Sequence, residues 1–353
     1  MISVRTAVLA ALSALAISSA AQAETAAPAK AAAWKVSRTV DGQPDLQGNW
    51  TNATITPFER PEKYGNNRAM SVEEANGLEK TEKAGNDAGN KPTDPNLKVQ
   101  DLPTDCGRGF TGVNCGYNSF WVDPGTKIMT IDGEKRTSMI VDPENGKVPG
   151  VTPKARERIA ERMAAFRRGG GSGGADGPEM RSLGERCILS FGSSAGPPML
   201  PLLYNNNYQI VQSKDTVLIM VEMVHDARIV RLNGTHPPAS MRKWMGDSTG
   251  HWEGDTLVVE TTNLRREQAF RGASENLKVI ERFKRVSPMQ IVYSFTIDDS
   301  DTFIKPFTGE VAMNATQDKI YEYACHEGNY ALPGILAGAR EQEANAAKAA
   351  SSK

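Results

Sequence analysis

NYQIVQSKDTVLIMVEMVHDARIVRLNG, Asn207 to Gly234, decides the fold. Its β-branched and aromatic residues come in short runs, and SKD (Ser213–Asp215) and LNG (Leu232–Gly234) punctuate them as turns. The same grammar continues downstream. TLVVETTN, LKVIERFKRV, QIVYSFTI, FTGEVAM and KIYEYACHE read as further strands, separated by WEGD, SPM, DDSD and NATQD. Turns this short join antiparallel neighbours, and no helical pattern lies between the runs as a parallel sheet would require. The expectation is a mainly β protein whose antiparallel meander curls into a barrel, with a β-sandwich as the alternative.

Upstream the pattern changes. Arg5 followed by AVLAALSALAISSAA and AQA before Glu24 reads as a secretory signal cleaved after Ala23, too short for a membrane span. Residues 1–23 are therefore expected to be removed and 24–48 to form a flexible leader, leaving about 330 residues in the periplasm or outside the cell. Residues 49–168 read as a proximal α+β region packed on the barrel, with a few short helices. Ser71 and Glu74 form a capping box for a helix through Lys83, and Pro153 after Thr152 opens a second helix. NSFWVD and KIMTID read as strands, and the sequence around Trp50 as extended chain wrapping an edge. The Gly-rich 169–178 is a loop, 179–340 the barrel, and 341–353 a disordered tail.

Lys and Arg total 41 against 42 Asp and Glu, a net charge of -1, and the signs are interspersed. That balance gives no general attraction for nucleic acid or an anionic membrane. HExxH, CxxC, CxxCH and a Walker lysine are all missing, and GSSAG (Gly192–Gly196) lacks the strand and helix of a nucleophile elbow. No cofactor is expected.

YNNNYQIVQ, VEMVHDARIVRLNG, WMGDSTGHWEGDTLVVETTN, AFRGASENLKVIERFKRV and YEYACHEGNY, with PDLQGNW and ITPFERP upstream, resemble a largely uncharacterised family of secreted bacterial proteins. The resemblance implies a lipocalin-like antiparallel β domain. It carries no catalytic assignment, and calycin-type barrels are an analogy of fold alone.

Candidate chemistry gathers in the distal half, where all four histidines lie. In a regular strand Glu222, Asp226 and Arg228 share one face, and Ile219, Val221, Met223 and His225 the other. In KIYEYACHE, Tyr321, Tyr323 and Cys325 alternate with Glu322 and His326. The acid–base reading assigns proton transfer to His326 or His225, orientation to Asp226 or Glu327, and anion stabilisation to Arg228 or Arg271. Tyr321, Tyr323, Arg271, Glu222 and Trp252 are candidate ligand contacts. Cys106 with Cys115 and Cys187 with Cys325 are candidate disulfides. His225, His251 and His326 are the only metal set worth stating.

Three functions fit. The first is a secreted protein binding a small apolar or aromatic molecule and acting on it as a cofactor-independent lyase, isomerase or hydrolase. The second is a non-catalytic periplasmic carrier, and the third an envelope-associated structural protein.

Overall fold

The computed structural model describes residues 34–89, 96, 98, 124–168, 174–190, 196–268 and 270–351. The expected signal, residues 24–33 of the leader, NSFWVD, the Cys106–Cys115 pair and residues 169–173 of the Gly-rich loop lie outside them. The chain runs through β1 (Gly48–Thr51), β2 (Ala69–Met70), α1 (Val72–Gly89), β3 (Thr130–Ile131), β4 (Glu134–Arg136), β5 (Ile140–Asp142) and α2 (Pro153–Arg168). Then come β6 (Asn207–Gln212), β7 (Thr216–Val221), β8 (Ala227–Leu232), β9 (Asp247–Glu253) and β10 (Thr256–Thr262). The chain finishes with β11 (Lys278–Ser287), β12 (Gln290–Asp298), β13 (Phe307–Ala315) and α3 (Ala331–Ser351).

The ten-stranded main sheet curls until β1 pairs with β6 on one side and β13 on the other, closing nine strands into a barrel. β5 takes the stretch of the β13 edge that β1 leaves open, at Thr308 and Gly309. β2, β4 and β3 form a small separate sheet. The pure antiparallel meander is corrected at one place: β8 and β9 are parallel, with Val230 opposite Ser248. A parallel pair needs a crossover, and residues 233–246 supply it on the outer face of the barrel.

Asp247 fastens that crossover. Its buried carboxylate accepts hydrogen bonds from Arg231 Nη2 (2.7 Å) and Lys243 Nζ (3.0 Å), and lies 3.0 Å from His236 Nδ1. These partners, Arg231 foremost, outweigh burial and hold the carboxyl well below the usual carboxylate range. His236 Nε2 in turn reaches Thr249 Oγ1 at 3.1 Å.

Inside, the two-residue strand period does the sorting. Val217, Ile219 and Val221 of β7 and Ile291, Tyr293, Phe295 and Ile297 of β12 are fully buried, while their strand neighbours are half-buried. The expected continuous strand from Thr216 to Arg228 is interrupted by a tight turn at Met223–His225, where Val224 (φ 61°) and His225 (φ 39°) are left-handed. The reversal brings odd residues of β7 and even residues of β8 to the interior, so Val221 and Arg228 both face inward.

Two segments depart from the strand expectations. DSTGHWE, passed over between turns, is β9. KIYEYACHE is irregular chain, because β13 already has β12 on one edge and β1 and β5 on the other. A disulfide ties this segment down, Cys187 to Cys325.

Both proximal helices start on the expected caps. Ser71 Oγ accepts the Glu74 N–H (3.1 Å) and Thr152 Oγ1 the Ala155 N–H (3.1 Å). α1 runs on to Gly89, beyond the expected end at Lys83. The C-terminal residues expected to be disordered continue α3 to Ser351.

Gly309 on β13 stands opposite Phe295, and a Cβ there would lie 2.3 Å from the ring. Gly309→Ala is expected to cost about 1–3 kcal/mol through overpacking, read from the urea midpoint at unchanged slope. Unaltered stability would show that Phe295 can move aside.

Candidate functional site

Two groups of residues compete for the role of binding site: the barrel interior and a cleft at one end of it. The interior is packed with side chains and carries a buried ion pair. Arg228 Nη1 and Nη2 reach the two oxygens of Glu281 at 3.0 and 2.5 Å, and both side chains are at most 1% exposed. Burial opposes the Arg228 charge, but the Glu281 carboxylate more than offsets it and holds the guanidinium above its ordinary pKa.

Tyr293 Oη donates to Glu281 Oε1 (2.8 Å) and accepts the Met199 N–H (2.9 Å). Burial, and then the neighbouring carboxylate, push this phenol well above its ordinary value, so it remains a donor. Asn52 Nδ2 donates to the Met199 carbonyl (3.3 Å) and to Tyr208 Oη (3.1 Å). The chain around Met199 is thereby pinned across the barrel end.

Above this plug lies a cleft of about 790 Å³. Phe58, Met139, Leu200, Leu202, Leu203 and Phe270 give it an apolar floor, and Arg162, Glu267 and Arg271 stand on its polar rim. Each wall is anchored. The Phe58 carbonyl accepts the Ile140 N–H (3.1 Å), and its ring stacks on Phe295 with centroids 6.4 Å apart and planes within 6°. Phe270 meets Phe58 edge-on at 6.2 Å.

The loop carrying Phe270 and Arg271 is held by Arg158, which donates to the Gly272 carbonyl (3.1 Å) and Thr302 Oγ1 (2.7 Å). Arg271 is left-handed (φ 51°), with its guanidinium 4.6 Å above the Phe58 ring. A volume in the range of about 300–1,000 Å³ with a few polar groups is the form of a small-molecule site.

Of the described residues proposed from sequence, Arg271 alone lines this cleft. Arg228 is inside the barrel, committed to Glu281. Glu222 is buried and accepts hydrogen bonds from Asn205 (2.8 Å), Asn207 and the Tyr321 N–H (3.1 Å), so it anchors backbone. His225 is exposed in the β7–β8 turn, and His251 is on the outer face of β9, 3.2 Å from Glu253.

His326 and Glu327 are exposed beyond Cys325, and Tyr321 is 68% exposed. Tyr323 and Trp252 are partly buried against the core, away from the cleft lining. The proton-transfer candidates thus do not line the cleft with Arg271. Cys325 is spent in its disulfide and is no nucleophile. Among the described residues no group of three His, Cys, Asp or Glu could hold a metal, so His225, His251 and His326 form no such site.

The sequence did not single out Glu281, Phe58, Arg162 or the leucines of PPMLPLL, whereas Phe270 lies beside Arg271 in the turn-rich segment before LKVIERF, a loop suited to a barrel mouth. Glu281 had a signal: in LKVIERF it falls in phase with Val279 and Phe283, a charge on an otherwise apolar face. Phe58, Arg162 and the leucines come from ITPFERP, an exposed position of α2 and PPMLPLL, and no local pattern joins them.

Breaking a buried pair strands one charge, whereas replacing both partners removes the penalty. Arg228→Met or Glu281→Leu alone is expected to lose about 3–5 kcal/mol of stability, and the double variant much less than the sum. Additive losses in a denaturant double-mutant cycle would refute the coupling.

Asp226 gives a second test. Its Oδ2 is buried without a hydrogen-bond partner, and desolvation raises the carboxyl to about 7. The folded state therefore binds the proton more tightly than the unfolded chain, whose value is about 3.9. The resulting destabilisation is absent at low pH, grows as pH rises through this window, and is complete above about 7. Asp226→Asn should melt higher than the parent at pH 8, with the advantage shrinking toward pH 4. A difference independent of pH would contradict the assignment.

Comparison of the chain with protein-family models, with curated proteins and with solved structures found no match.

Proposed function

We propose that this chain is a secreted small-molecule-binding protein that holds an apolar or aromatic compound in the cleft at the barrel end, as a carrier rather than a catalyst. The observation that carries the reading is the anchored apolar floor: Phe58 stacked on Phe295, Phe270 against Phe58, and the leucines after Met199. Fixed walls lower the ordering cost of binding, which leaves more of the gain from apolar burial as affinity.

The carrier reading rests on the distribution of reactive groups. A general acid or base must come within hydrogen-bond reach of the reacting atom. His225, His326, Glu327 and Asp226 are outside the cleft lining, Arg228 is paired with Glu281, and the carboxylate on the rim, Glu267, lies 3.4 Å from Arg265. The secreted part of the proposal rests on the signal-like N-terminus, and the Cys187–Cys325 disulfide suits an oxidising compartment.

The test uses the purified mature form, first by native mass spectrometry for a retained compound. Fluorescence titration with phenylnaphthylamine, a neutral apolar arene, then measures the cleft directly. One saturable site per chain is expected. Leu203→Trp, which fills the cleft from a partly buried wall position, should weaken binding by about tenfold or more, equivalent to about 1.4 kcal/mol. Unchanged affinity in this variant, with its melting temperature retained, would place binding elsewhere and end the proposal.

A further inference from the structure

The rim of the cleft has a charge imbalance. Among the described residues, its charged lining is Arg162, Arg271 and Glu267. Glu267 is engaged by Arg265, which is not part of this lining, at 3.4 Å. Arg162 lies one helical turn after Arg158 on α2. Arg158 spends its donors on Gly272 and Thr302, whereas Arg162 makes no hydrogen bond or ion pair among the described residues.

Arg271 donates no hydrogen bond among the described residues either. Its nearest carboxylate, Glu59, is 3.9 Å away, beyond hydrogen-bond length, and the guanidinium is held against the Phe58 ring instead. Two guanidinium groups therefore border an aromatic floor with their donors unspent. A guanidinium presents a planar fork that matches the paired oxygens of a carboxylate or sulfonate.

We infer that the cleft selects acids: compounds with an apolar, ring-containing body that lies on Phe58 and Phe270 and an anionic group that meets Arg162 and Arg271. This inference rests on the proposal that the cleft binds a small apolar molecule. It narrows the ligand to aryl or similarly apolar carboxylates and sulfonates. A neutral arene would leave the arginines facing water, and a bare inorganic anion would leave the floor uncovered.

Two probes separate this inference from the reading beneath it. Anilinonaphthalene sulfonate carries an anionic group on an arene core, and phenylnaphthylamine has the same core without it. At low ionic strength the sulfonate is expected to bind about tenfold tighter or more, the range of a charge-assisted contact. Added salt should shrink that preference. The double variant Arg162→Ala, Arg271→Ala should bring the two affinities to within about threefold of each other. Arg162→Ala alone, at an exposed helix position, gives a partial effect without risk to the fold.

Equal binding of both probes to the parent protein, or a sulfonate preference that persists in the double variant, would overturn the acid selectivity and leave a neutral-ligand carrier. Failure of both probes to bind, or binding of both that ignores Leu203→Trp, would overturn the cleft reading itself and the acid inference with it.

Discussion

Taking an arginine and a glutamate out of water inside a barrel costs several kcal/mol for each ion, and only close, complete pairing repays it. Arg228 and Glu281 meet that demand with two parallel hydrogen bonds, and the Tyr293 hydroxyl adds a third donor to the carboxylate. The phenol is then obliged to accept from backbone, and the backbone it finds is Met199. One electrostatic requirement thereby reaches from the middle of the sheet to the loop that stoppers its end. The leucines after Met199 are turned into the floor of a cleft, and space for a ligand lies above the barrel end.

The outer surface obeys a parallel logic around Asp247. A parallel strand pair forces the chain to travel back along the barrel, and a crossover with few apolar residues has little to gain from packing. Asp247 substitutes charge for packing by gathering Arg231, Lys243 and His236 at one carboxylate. Removal of water from a carboxylate is tolerable here because its partners neutralise it. Asp226 shows the converse: its buried oxygen has no partner, and its proton is correspondingly hard to remove.

The strands were readable wherever alternation carried the burial pattern. β6, β7, β8, β10, β11, β12 and β13 all coincide, to within two residues at their ends, with runs whose β-branched and aromatic residues mark them, or lie inside such runs. β9 escaped because its inward positions are Ser248 and Gly250. A side chain at Gly250 would meet Val230 at 2.9 Å, so the strand must look polar and weak. KIYEYACHE misled for the opposite reason, since its tyrosines alternate but no sheet edge remains to receive them. The crossover geometry also had no local signature, and without it Arg228 could not be matched with Glu281. The cleft draws on ITPFERP, PPMLPLL, the AFRG turn and α2, segments brought together by tertiary pairing alone. Of these, Arg271 was the residue named from sequence, as a candidate anion-stabilising and ligand-contact group.

β1 gives the ring its last joint. Trp50 pairs with Tyr208 on one side and with Ala315 on the other. A ribosome delivers this strand long before either neighbour, and the seam cannot be sewn until the end of β13 has emerged. Until then the growing sheet remains an open ribbon with two raw margins. Closure is thus the last knot available to the chain, tied only after nearly the whole thread has been made.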